Sequence, residues 1–186
     1  AECTRLIEAR IAASQPDRVS LAFHYADRAT AYVEKENFER ALADYNEAIR
    51  IEPDRADLYW GRRAAITDRM GDYDGALPLY AEAVRVASDR IKSNPSVNMY
   101  FARYNLCLAT GDYDRAIADA GEMFLKAPTA SHLSLRAFAY ALKGELQTAH
   151  GDYTEAIALD PKDFSAHIHR GWVYELAGQL DDAITD

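Results

Sequence analysis

The feature that most constrains this chain is repetition in phase. Between Ala130 and Pro161, apolar residues at Leu133, Ala137 and Tyr140 are spaced for one face of a helix. A turn follows at Gly144-Glu145-Leu146, a second stripe runs through Ala149, Tyr153, Ala156 and Ile157, and Pro161 closes the stretch. The same order of small and aromatic residues returns along the whole chain. Ala29, Ala64, Ala137 and Gly171 share one offset, and Ala41, Ala76, Ala116, Ala149 and Ala183 share another. Two helices that cross closely leave no room for a larger side chain at such points. Tyr45, Tyr80 and Tyr153 recur where successive units must fill the space between them. A two-helix unit cannot bury its apolar face alone, so units of this kind stack on their neighbours. All these positions are expected in the core.

The stretch from Ala130 to Pro161 resembles the tetratricopeptide repeat (TPR), a unit of about 34 residues with small, aromatic and proline positions at fixed offsets. The style of the repeats is similar to bacterial members. The resemblance implies an all-α fold, a right-handed superhelical solenoid of antiparallel helix pairs, and it extends over nearly all of the chain. Residues 1–21 read as a leading helix and linker. Repeats follow at residues 22–55, 56–96, 97–129, 130–163 and 164–186, the last incomplete. Repeat two has a long second helix expected to reach Lys92, with Pro78 about a turn inside it. Repeat three departs from the pattern twice. Tyr104 stands where a small residue is expected and Ala120 where an aromatic is, a volume-conserving exchange. Both ends fall inside a second helix, which implies an excerpt or an end covered by another chain.

Composition excludes several classes. The 186 residues are 49% hydrophobic and 27% charged, a globular composition. No apolar run approaches the roughly 18 residues of a membrane span, so no membrane insertion is expected and the chain is read as soluble, in the cytoplasm or a bacterial periplasm. The net charge of −9 opposes non-specific nucleic-acid binding and favours a basic or apolar partner. Cys3 and Cys107 lie in distant repeats and read as reduced, half-buried thiols.

Arg28, Arg63, Arg103, Arg136 and Arg170 occupy one offset in all five first helices. Glu2, Asp44, Asp119, Asp152 and Asp186 share an offset in the second helices, where repeat two has Leu79. We read this as an arginine–carboxylate ladder between packed helices rather than a grip for an acidic ligand. Spacing leaves open whether each pair closes within a repeat or between repeats.

Nothing in the sequence has the pattern of an active site. His167 and His169 are two apart and face different sides of a helix. No metal motif, phosphate loop or nucleophile elbow occurs, so neither a metal nor a cofactor is expected. Gly71-Asp72-Tyr73 and Gly111-Asp112-Tyr113 fall at turns, whereas Gly151-Asp152-Tyr153 falls within a helix.

The resemblance implies that the first helices line a concave groove. The register places Arg62, Phe101, Asn105, Leu108, Leu135, Phe138, Leu142, Ile168, His169 and Trp172 on that surface, more apolar in repeats three to five than a solvated face requires. The expected function is a non-catalytic scaffold that binds a protein or peptide, for instance a helix, in this groove. A homo-oligomer built through uncapped ends near Cys3 and Ile184, and an accessory segment of a larger enzyme or regulator, are the alternatives. The pairing of Lys and Asn by which some TPR proteins hold a peptide carboxylate is absent: the matching offsets carry Ala26, Thr30, Gly61 or Arg62, Asn98 and Ala102.

Overall fold

The computed structural model describes residues 18–179 and 183–184. These residues contain nine α-helices, one 3-10 turn and no strand. In chain order the helices are α1 (Arg18–Glu34), α2 (Phe38–Ile51), α3 (Asp57–Arg69), α4 (Tyr73–Ser93), α5 (Val97–Thr110), α6 (Tyr113–Lys126), α7 (Ala130–Lys143), α8 (Leu146–Leu159) and α9 (Phe164–Leu176), with the 3-10 turn at Pro53–Arg55. The leading helix expected over residues 1–13 lies outside the described residues, as does most of the second helix of repeat five. Residues 18–21, assigned above to the linker, are the first turn of α1. Leu21 there packs on the core one turn ahead of Tyr25, which continues the apolar face backwards.

The helices form two compact units, Ala1–Arg90 and Ile91–Asp186. In the first, α1 and α2 pair and α2 leads to α3. Ala22 and Ala29 on α1 meet Ala41, Tyr45 and Ala48 on α2, with Ile51, Ala56, Tyr59 and Ile66 completing the core. In the second, α5 to α9 pack each on the next. Ala137, Ala149, Ala156 and Ala166 are fully buried around Leu133, Tyr153 and Val173. The alanines sit where the helices cross, as their shared offsets required. Tyr45 and Tyr153 are buried, whereas Tyr80 is half-buried.

Capping fixes the helix ends. Asn37, Asp112 and Thr129 accept hydrogen bonds from the backbone N–H groups of Arg40, Arg115 and His132. Gly111 and Gly144 end α5 and α7 in the left-handed region, at φ 73° and 89°, which a Cβ would strain. Gly151 lies inside α8 beside the buried Asp152, so its likeness to the turn glycines is one of letters alone.

Helix α4 is 21 residues long, against 14 for α2, α6 and α8, and it carries Pro78 inside it. Its extra turns bring Arg90 back to Asp57 at the start of α3, where the two form an ion pair with the carboxylate almost wholly buried.

Cys107 is fully buried, deeper than the half-buried thiol expected, because the small thiol fills a core position on α5. Burial, with help from the Asp119 charge, pushes it up to about 12. An unfolded thiol titrates near 8.5, so between about pH 8.5 and 12 the unfolded chain has lost a proton that the native chain keeps. Stability is expected to be complete below that window and to fall as pH rises through it, and Cys107→Ala should flatten the fall. Alkylation of Cys107 near neutral pH should await denaturant; prompt labelling of the native protein would contradict the placement.

Candidate interaction surface

The arginine–carboxylate ladder closes within repeats. Arg28 forks onto Asp44 with both contacts at 2.7 Å. Arg103 forks onto Asp119 at 2.9 and 2.6 Å, and Arg136 onto Asp152 at 2.6 and 2.8 Å. Each pair joins the first helix of a repeat to its own second helix, sixteen residues on. The Asp119 side chain is 1% exposed and Arg103 17%. Burial pushes the Asp119 carboxyl up, and the hydrogen bond from Arg103 to it pushes the guanidinium up as well. Where repeat two has Leu79, the Arg63 guanidinium lies over the Trp60 ring, 5.1 Å from its centroid. Arg170 donates to Thr154 Oγ1 at 3.1 Å, and Asp186, its counterpart by offset, lies outside the described residues. These arginines are structural groups.

In the second unit, where Arg103 and Arg136 turn toward the second helices, the face that register assigns to the first helices is mostly apolar. Phe101 stacks on Tyr104 within α5, centroids 6.4 Å apart. The Tyr104 hydroxyl donates to the Leu135 carbonyl on α7 at 2.8 Å, and burial pushes that hydroxyl well above its ordinary range. Phe138 on α7 touches both His169 and Trp172 on α9, at 5.8 and 6.0 Å between centroids. His169 in turn stacks over the buried Tyr153 at 5.9 Å. A hydrogen bond from Tyr104 therefore links α5 to the backbone of α7, and aromatic contacts link α7 to α9.

The ten residues proposed from the register are distributed as follows. Phe101, Asn105 and Ile168 are exposed, while Leu108, Leu135, Phe138, Leu142, His169 and Trp172 are half-buried. Phe101 keeps 46% of its surface exposed and Ile168 70%. The Asn105 side chain donates to the Phe101 carbonyl at 2.8 Å, one turn back on its own helix. Trp172 also packs against the core. Arg62 is exposed and belongs to the first unit. Tyr104 was read only as a space filler, yet it is the link between α5 and α7; no spacing rule reveals a hydroxyl that reaches the next repeat's backbone.

Among the described residues no three His, Cys, Asp or Glu side chains are placed to hold a metal ion. No described helix is long and apolar enough to cross a membrane.

A family model described as TPR repeat matches residues 29–62, and two described as tetratricopeptide repeat match residues 68–132 and 152–185. The chain belongs to the tetratricopeptide repeat family. No curated protein matches this TPR chain. Solved structures do. A segment of MamA from Desulfovibrio magneticus RS-1 is similar with a TM-score of 0.59 at 18% identity, covering 92% of each chain. PilW, described as a widely conserved type IV pilus biogenesis factor, gives 0.61 at 21% identity over 87% of this chain and 72% of its own. YrrB, described as a TPR protein with an unusual peptide-binding site, gives 0.54 at 15% identity over 88% and 81%. At these identities the TPR fold is what is shared.

Proposed function

We propose that this TPR chain is a non-catalytic interaction scaffold that holds a protein segment, a peptide or a helix, against the α5–α7–α9 face. The observation that carries the reading is the run of apolar residues across that face: Tyr104 ties α5 to the backbone of α7, Phe138 meets Trp172 on α9, and Phe101 and Ile168 are exposed. Apolar surface of this kind favours a partner that removes it from water, and aromatic side chains held by their neighbours are suited to act as anchors. The description of YrrB as a peptide binder on a similar fold is consistent with the proposal.

Selection of peptides from a displayed library against the folded chain provides ligands for the test. Trp172 is a poor probe because it also packs the core, so the informative variants are Phe101→Ala and Ile168→Ala. The double variant should lose about 10- to 100-fold in affinity for the selected peptides, as anchors do, with its melting temperature unchanged. Peptides that bind the double variant as tightly as the parent would place the site elsewhere.

A further inference from the structure

The apolar face of the second unit has a charged end. Lys143, at the end of α7, pairs with Asp114 at the start of α6 at 2.8 Å. Tyr174, near the end of α9, meets His150 near the start of α8 at 2.8 Å. The C-termini of α5, α7 and α9 therefore lie along one edge. The starts of α6 and α8 lie on the same edge, so the helix-end dipoles offset one another and the side chains set the sign of the edge. Asp112, Asp114, Glu145 and Glu175 add four carboxylates there, against Arg115 and Lys143, which already pair with three of them. Glu175 is exposed and sits seven residues after Ile168 and three after Trp172, on the same side of α9. The residues that register assigns to the face in the second unit are apolar apart from Asn105 and His169.

We infer that the segment taken up by this face is amphipathic and carries Lys or Arg at the end that lies against Glu175 and Asp114. The inference rests on the reading of the face as a binding surface and adds the sign and position of the partner's charge. A carboxylate brought to this edge meets like charge beside low-dielectric surface, where repulsion is least screened. A cation meets Glu175 and, one turn away, the Trp172 ring. Cations already lie over rings in this chain: Lys126 over Tyr100 at 5.8 Å in the second unit, and Arg69 over Phe38 at 5.2 Å in the first.

Three synthetic peptides of about 15 residues, long enough for helix to form, provide the test. They share one Leu-rich face and differ only in ending with Lys, Gln or Glu clusters. In a Trp60→Phe background, Trp172 is the remaining tryptophan and reports binding by fluorescence. At low salt, ~0.05 M, the Lys-ended peptide should bind at least tenfold tighter than the Glu-ended one, and the gap should shrink at ~0.5 M as screening takes hold. Asp114→Asn with Glu175→Gln, both exposed, should narrow the low-salt gap several-fold and leave the Gln-ended peptide's affinity in place. Equal affinity for all three peptides would overturn the charge assignment and leave the face as a binding surface. Failure of all three to bind would remove the surface reading together with the inference.

Discussion

Asp119→Ala is expected to destabilise the second unit by about 3–5 kcal/mol, the cost of stranding one half of a buried ion pair. Asp119 is almost wholly buried and takes both arms of Arg103, so its removal takes away the carboxylate that this half-buried guanidinium forks onto. Burial already pushes the Asp119 carboxyl up, which shows that desolvation offsets much of the attraction. The pair is thus costly to break without being a large net source of stability. Repeat two supplies the control, since its Leu79 lacks a carboxylate and its Arg63 lies over Trp60 instead. Replacing both partners, Arg103→Met with Asp119→Leu, should recover most of the loss, and denaturant titration of the three variants measures it. An Asp119→Ala protein as stable as the parent would mean that the fork is ornamental.

The second large effect is expected at Tyr104. Tyr104→Ala should cost about 3–5 kcal/mol, in the range of large aromatic truncations. It removes a ring that is 1% exposed and a hydroxyl that donates to the Leu135 carbonyl. Ala120, at the aromatic offset of the following helix, is fully buried. Adding Ala120→Tyr to Tyr104→Ala restores the usual order of small and large residues in repeat three, and part of the lost stability should return. It should not all return, because the link from α5 to the backbone of α7 is gone. A double variant no more stable than Tyr104→Ala alone would refute compensation between the two positions.

These two sites also mark how far the sequence could be read. Arg103 and Asp119 were legible because their offsets recur in Arg28 with Asp44 and Arg136 with Asp152, and recurrence signals a contact that every copy makes. What the offsets could not say was whether a pair closes within a repeat, since helix spacing fixes the face of a side chain but not which neighbour it reaches. The pair of Asp57 with Arg90 was not legible at all. It occurs once and depends on the extra length of α4, so no second copy reveals it. The proposed face was half legible. Register assigned residues to it, but the depth of Phe138 and Trp172 depends on how closely α7 and α9 approach, which periodicity does not encode.

The three buried forks have a consequence for how such a chain can change length. Each satisfies its charges inside a single hairpin of helices. Duplication or loss of one hairpin in the gene therefore strands no buried arginine at the new junction, and the apolar crossings accept the newcomer wherever it keeps the small residues at the shared offsets, as repeat three, with Tyr104, does not. The pair of Asp57 with Arg90 likewise closes inside its own hairpin, whereas Tyr104 reaches the Leu135 carbonyl of the next, so repeat three is the member least interchangeable with its siblings.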